Sequence, residues 1–183
     1  MKKILVPLAE GFEEIEAVTV IDVLRRSGME VVTAGLNDML VTGSHAITVK
    51  VDKLLEAALD VSYDAVVLPG GMPGAKNLRE NEMLLRLIRQ MDSDRKWVGA
   101  ICAAPTVLET AGVLRGKKAT SFPAHEKELD SADYSQDRVV VDGHVVTSRG
   151  AGTALEFSFK LVELIAGPEK ASELSEAMLA LRY

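Results

Sequence analysis

Cysteine is nearly missing from this chain: 183 residues contain one, Cys102. A lone thiol forms no internal disulfide, so the fold asks for no oxidising compartment. Histidine is almost as scarce, with three scattered residues, which leaves little material for a metal centre built on histidine and cysteine; neither a metal nor a cofactor is expected. Positive charge is in deficit, 21 Lys and Arg against 27 Asp and Glu, for a net −6. No basic cluster is present to neutralise a row of phosphates, which argues against a nucleic-acid binder. No apolar run approaches the roughly 20 residues of a membrane span. The opening Met1-Lys2-Lys3 followed by Ile4-Leu5-Val6-Pro7-Leu8-Ala9 superficially resembles a signal peptide, but the run is too short and Glu10 and three more acids follow it. It reads as a first strand, with cytoplasmic residence as the default. Repeats, low-complexity tracts and linkers are also lacking, so residues 1–183 are expected to form a single domain.

What the chain does have is 48% hydrophobic content arranged in alternating strand and helix patterns. An apolar strand at 4–8 precedes a helix at 15–27, spaced through Ile15, Val18, Ile21, Asp22, Leu24 and Arg25 and stopped by Gly28. Strands follow at 30–34 and 64–68, the latter closed by Pro69-Gly70-Gly71, and an amphipathic helix at 83–91 leads into a strand at 97–101. Val139-Val140-Val141 and Val145-Val146-Thr147 flank Asp142-Gly143-His144 as a hairpin, and a helix over 153–166 ends at Gly167-Pro168, where the last helix starts. Strands alternating with helices predict a three-layer α/β/α sandwich with a mostly parallel sheet.

In such sheets, sites gather at the carboxyl ends of the strands. Three segments should meet there: Glu10-Gly11-Phe12-Glu13-Glu14-Ile15-Glu16, Pro69-Gly70-Gly71-Met72-Pro73-Gly74, and the turn around Cys102. A free cysteine is usually a small buried hydrophobe. Here the apolar run ends at Cys102, small residues follow, and Pro105 suits the first helical turn, so strand, sharp turn and helix form a nucleophile elbow. A thiol at that position faces free N–H groups and the positive end of a helix, both of which favour the thiolate. Glu13 and Glu14 read as first-turn carboxylates on the helix dipole. Glu16 shares a helix face with Thr19 and Val20 and is expected at the sheet edge, where desolvation and a neighbouring thiolate would keep it protonated as a donor or proton shuttle. Gly70-Gly71 is a tight turn; facing the elbow, the N–H groups of Gly71 and Ala103 would stabilise an oxyanion. The turn lacks both the Gly-Lys-Ser/Thr ending of a P-loop and a Gly-x-Gly-x-x-Gly spacing, so nucleotide binding is disfavoured.

Glu13-Glu14-Ile15-Glu16, Val23-Leu24-Arg25-Arg26-Ser27-Gly28, Leu68-Pro69-Gly70-Gly71, Ala100-Ile101-Cys102-Ala103-Ala104-Pro105 and Thr147-Ser148-Arg149-Gly150-Ala151-Gly152-Thr153 together resemble the ThiJ/PfpI superfamily. The similarity is to the clade of the Parkinson's-disease-linked protein and bacterial YajL, and it spans nearly the whole chain. The resemblance implies a flavodoxin-like fold, a homodimer, Cys102 as nucleophile, Glu16 as acid and base, and Gly71 with Ala103 as backbone donors. Arg149, His45 and Arg26 are candidate accessory residues; His45 stands where the Parkinson's-linked protein has an arginine that can reach toward the partner's site.

Two positions depart from the family pattern. Many protease-like and glyoxalase-like members carry histidine directly after the cysteine, where this chain has Ala103; the Parkinson's-linked branch supplies one from a loop where this chain has Phe122. Neither alanine nor phenylalanine carries a proton. His125 is expected to be an ordinary surface histidine, and His144, in the hairpin turn, is given no role. The resemblance therefore implies glutathione-independent glyoxalase chemistry on methylglyoxal, or deglycation of side chains and nucleotides by the same cysteine. A second expectation is an oxidative-stress sensor and redox-regulated chaperone, in which Cys102 oxidises without a second cysteine to resolve it. A cysteine peptidase or amidase is a weaker alternative, because it needs an imidazole that the sequence does not place.

Overall fold

The computed structural model describes residues 1–180. Chain order runs β1 (Lys3–Leu8), α1 (Glu14–Arg26), β2 (Glu30–Gly35), a short hairpin β3 (Leu40–Thr42) and β4 (Thr48–Lys50), β5 (Lys53–Leu54) and a single-turn α2 (Leu55–Ala58). It continues through β6 (Ala65–Leu68), α3 (Gly74–Arg79), α4 (Glu82–Ser93), β7 (Trp97–Ile101), α5 (Pro105–Ala111), β8 (Lys118–Ala119) and a 3-10 turn Pro123–Glu128. β9 (Asp133–Tyr134), the hairpin β10 (Val139–Asp142) and β11 (Val145–Ser148), α6 (Ala154–Ala166) and α7 (Pro168–Ala177) complete it.

Seven strands form one sheet in the order β10-β11-β7-β6-β1-β2-β5, all parallel except the β10–β11 hairpin. The central strands read as unbroken apolar runs because both faces are covered. Along β1, Leu5 packs into the core beneath α2 to α5, while Ile4, Val6 and Leu8 pack into the core beneath α1, α6 and α7. β6 splits the same way, with Val66 and Leu68 on one side and Ala65 and Val67 on the other. A period of two thus fills two cores with one strand, giving the expected flavodoxin-like three-layer sandwich.

The expected helix at 15–27 forms as α1, but its buried side is not the expected one. Ala17, Val20, Val23 and Leu24 face the sheet, while Ile15 and Val18 are 57% and 47% exposed. Two stripes of apolar residues run along this helix, and the sheet takes the one carrying the smaller alanine and the more C-terminal pair.

β1 is followed by a crossover to β2 on one side, whereas β6, on its other side, leads onward to β7. The point where the sheet changes direction therefore lies between β1 and β6. The loops after β1, β6 and β7 all open at this carboxyl edge.

Candidate active site

The turn after β6 is built for contact. Gly71 has φ +87°, a conformation that side chains resist, and a Cβ on Gly70 would lie 2.7 Å from Cys102 Cβ and 2.9 Å from the Ala103 nitrogen. Glycine lets this turn press directly on the elbow. The turn is also tied to the loop after β1: the Glu13 amide donates to the Gly70 carbonyl (2.9 Å), and the Gly70 amide donates to Glu16 Oε2 (2.8 Å).

Cys102 follows the last residue of β7 and has φ +64°, left-handed backbone that costs an L-residue roughly 1–2 kcal/mol. The strain is held in place from two sides. Its amide donates to the Ser148 carbonyl at the end of β11 (3.0 Å), and its carbonyl accepts from the Phe122 amide (2.9 Å). Pro105 then opens α5 at its first turn, as expected. The thiol is half-buried.

Glu16 is fully buried at 0% exposure, on the face of α1 that carries Ala17 and Val20. Burial pushes its carboxyl up to about 7; the Gly70 amide and the Cys102 thiol pull the other way, and the charge of Glu13 adds to the rise. Oε1 makes no well-formed hydrogen bond, so beyond the Gly70 amide the thiol is the polar group this carboxyl meets. Cys102 is raised as well. Burial, then the Glu16 charge and the hydrogen bond to it, push the thiol up to about 12, against the opposing pull of the Gly71 and Ala103 N–H groups. This corrects the expectation that the helix end and free N–H groups favour the thiolate. α5 is only seven residues long, and burial beside a carboxyl outweighs what its N-terminus and two amides offer. The two groups form a coupled pair whose first proton leaves near neutrality.

The accessory candidates scatter. Arg26 pairs with Asp22 on the surface of α1 (2.6 Å) and does not reach the elbow. Arg149 donates to the Gln136 carbonyl (2.8 Å) and lines a groove on the β11 side of Cys102. His45 lies against Glu14 (Nδ1 to Oε2, 3.1 Å) and Glu13 (3.5 Å). His125 is bound to Glu128 (2.6 Å) and His144 to Asp92 (2.7 Å). No imidazole is among the groups acting on the thiol.

The sequence marks Gly70 only as part of a tight turn and Glu14 only as a first-turn carboxylate on the helix dipole. Glu14 is no simple dipole partner: its Oε1 accepts from the amides of His45 (2.7 Å) and Ile47 (3.3 Å) and anchors the β3–β4 turn. Burial would raise its carboxyl, but its own amide, the imidazole and the amides of His45 and Ile47 hold it at about 2. Glu13, Glu14 and His45 thereby place ligand-type atoms within 4.8 Å of one another, a grouping not evident from three scattered histidines. The signal for Gly70 was present in the glycine pair after a strand; the partners of Glu14 lie some thirty residues away and leave no local trace.

Residues 2–164 match the model of the DJ-1/PfpI family. The chain belongs to this family. The DJ-1 homolog B of Arabidopsis thaliana is 46% identical over 179 residues, covering 97% of this chain and 41% of that protein; the chain thus spans less than half the length of its plant relative. A Caenorhabditis elegans DJ-1/PfpI relative, glutathione-independent glyoxalase DJR-1.2, is 35% identical over 172 residues, covering 93% of this chain and 91% of that one. The structure of oxidized DJ-1 from Toxoplasma gondii superposes with a TM-score of 0.95 at 39% identity, covering 100% of both chains. Membership of the DJ-1/PfpI family and its flavodoxin-like fold therefore agree with what the motifs imply. Among the described residues, no helix is long and apolar enough to cross a membrane.

Proposed function

We propose that this protein detoxifies reactive aldehydes such as methylglyoxal without glutathione, with Cys102 as nucleophile and Glu16 as proton carrier. The observation that carries the reading is the pairing of a half-buried thiol with a fully buried carboxyl, whose proton affinity burial raises to about 7. Such a carboxyl is suited to accept and return protons at neutral pH without an imidazole. The glyoxalase name of the nematode relative adds support.

The thiol proton passes to the Glu16 carboxylate as Sγ bonds to the aldehyde carbon. Glu16 returns that proton to the developing alkoxide, which the N–H groups of Gly71 and Ala103 stabilise, and a hemithioacetal results. Glu16 next removes the hydrogen from the sulfur-bearing carbon and hands it to the adjacent ketone oxygen, giving an enediol. Glu16 then takes the proton from the hydroxyl on the sulfur-bearing carbon and delivers it to the adjacent carbon, leaving a lactoyl thioester. Water, deprotonated by Glu16, cleaves it, and lactate leaves as the thiol regains its proton. Early adducts of glyoxals on side chains or nucleotides revert to the free aldehyde and the unmodified amine or thiol, and the released carbonyl is the one that Cys102 attacks.

Lactate formation from methylglyoxal in glutathione-free buffer tests the reading. Wild type is expected to turn over, Cys102→Ser to be inactive, and Glu16→Gln to lose about 10²–10⁴-fold. Absence of wild-type turnover, or unchanged turnover in both variants, overturns it.

Oxidant sensing at the same sulfur is a second reading, favoured by the oxidized state of the Toxoplasma relative. Two equivalents of peroxide would carry the thiol to a sulfinate whose oxygens accept from protonated Glu16 and the Gly71 amide. Mild peroxide should then add two oxygens at Cys102 in wild type and give no stable sulfinate in Glu16→Gln. We also propose a homodimer contact on the face that exposes Ile15 and Val18, beside a groove lined by Val18, Ile21, Asp22 and Arg25. Charges of both signs beside an apolar strip suit a two-fold, self-complementary surface.

A further inference from the structure

The two backbone clamps on Cys102 come from Ser148 and Phe122, and Phe122 and the residue after Ser148 both line one groove. Phe122, Pro123, Arg138, Arg149 and residues 150–153 border this open groove of about 370 Å³. Since consecutive Cα atoms lie 3.8 Å apart, its wall begins about one residue from the main chain of the nucleophile. Most of the lining is apolar, and the Phe122 ring, 46% exposed, lies beside Gly150, where a Cβ would approach it to 3.4 Å.

The two guanidinium groups in the wall differ. Arg138 is engaged by the Glu156 carboxylate (2.7 Å) and the Gly152 carbonyl (3.0 Å). Arg149 gives one N–H to the neutral Gln136 carbonyl (2.8 Å) and forms no ion pair with a carboxylate among the described residues. The groove therefore combines an aromatic wall with a guanidinium that no carboxylate neutralises among the described residues, and a guanidinium group is suited to pair bidentately with a carboxylate.

We propose that this groove is a specificity site for carbonyl compounds that carry an apolar or aromatic body ending in a carboxylate, with the body on Phe122, the anion on Arg149 and the reacting carbon at Cys102. The identity of the reacting group rests on the aldehyde reading above; the preference for an anionic partner does not.

Alkylation of Cys102 in the intact protein by iodoacetate and by iodoacetamide, followed by site-mapped mass spectrometry, separates the two. These reagents are similar in size and differ in charge, and their rate ratio cancels changes in thiol ionisation because both attack one sulfur. Arg149→Gln is expected to lower the iodoacetate-to-iodoacetamide ratio about tenfold, the low end for a charge-assisted hydrogen bond, and Arg149→Lys to restore part of it. Phenylacetate should protect Cys102 better than benzyl alcohol in wild type, and Phe122→Ala should weaken that protection. An unchanged ratio in Arg149→Gln, or equal protection by the two aromatic compounds, overturns the proposal. Loss of selectivity with methylglyoxal turnover intact confirms the groove independently of its small substrate, whereas retained selectivity without any turnover sinks the aldehyde reading alone.

Discussion

Glu16 and Cys102 interact so closely that neither has a private ionisation. Glu16 binds its proton more tightly in the folded chain, at about 7 against an ordinary 4.5, because burial penalises its charged form. A raised acid contributes its full stability below the unfolded value and loses it as pH rises through the folded one. Wild type should therefore weaken between pH 4.5 and 8 in a way that Glu16→Gln, with its neutral amide, does not share. Urea unfolding of both proteins at the two ends of that window should show the gap moving by about 3 kcal/mol in favour of the variant. A constant gap would mean that Glu16 ionises as freely in the fold as in water.

At the scale of elements, the site depends on a strained elbow more than on a helix. The left-handed backbone of Cys102 is maintained by hydrogen bonds to β11 and to the segment after β8. Glycine relieves this strain and alanine does not, so Cys102→Gly should be about 1 kcal/mol more stable than Cys102→Ala in thermal or urea unfolding, after allowance for the entropy glycine adds to the unfolded chain. Equal stability would place the strain elsewhere. Much of this element was legible in the sequence: the apolar run of β7 stops at Cys102, small residues follow, and Pro105 marks a helix start. Glu16 was legible too, from its place on the α1 periodicity. The orientation of α1 was not, since Ile15 and Val18 form as plausible a stripe as Val20 and Val23, and only the sheet decides between them. The β3–β4 hairpin escaped because its strands are three residues each and partly exposed, and the buried Glu14 that holds its turn is distant in sequence. The thiol's elevation escaped for a related reason: desolvation belongs to the packed structure, whereas helix-end arguments can be read locally.

For the whole molecule, the change of direction between β1 and β6 brings three sequence-distant loops to one edge, and the same arrangement turns Ile15 and Val18 outward. If a second copy covers that face, Val18→Glu should convert a dimer to a monomer in light scattering while leaving the circular dichroism of the fold intact; a variant that remains dimeric would move the interface to another face. The convergence itself is the central claim, because only the assembled edge puts the carboxyl of α1 against the thiol at the end of β7. Its most direct measurement is the pH profile of Cys102 alkylation by iodoacetamide in wild type and in Glu16→Gln. A shared proton predicts that wild-type reactivity rises with an inflection near pH 7, where the pair loses its first proton, and that this inflection disappears when Glu16 becomes glutamine. Superimposable profiles for the two proteins would contradict the account.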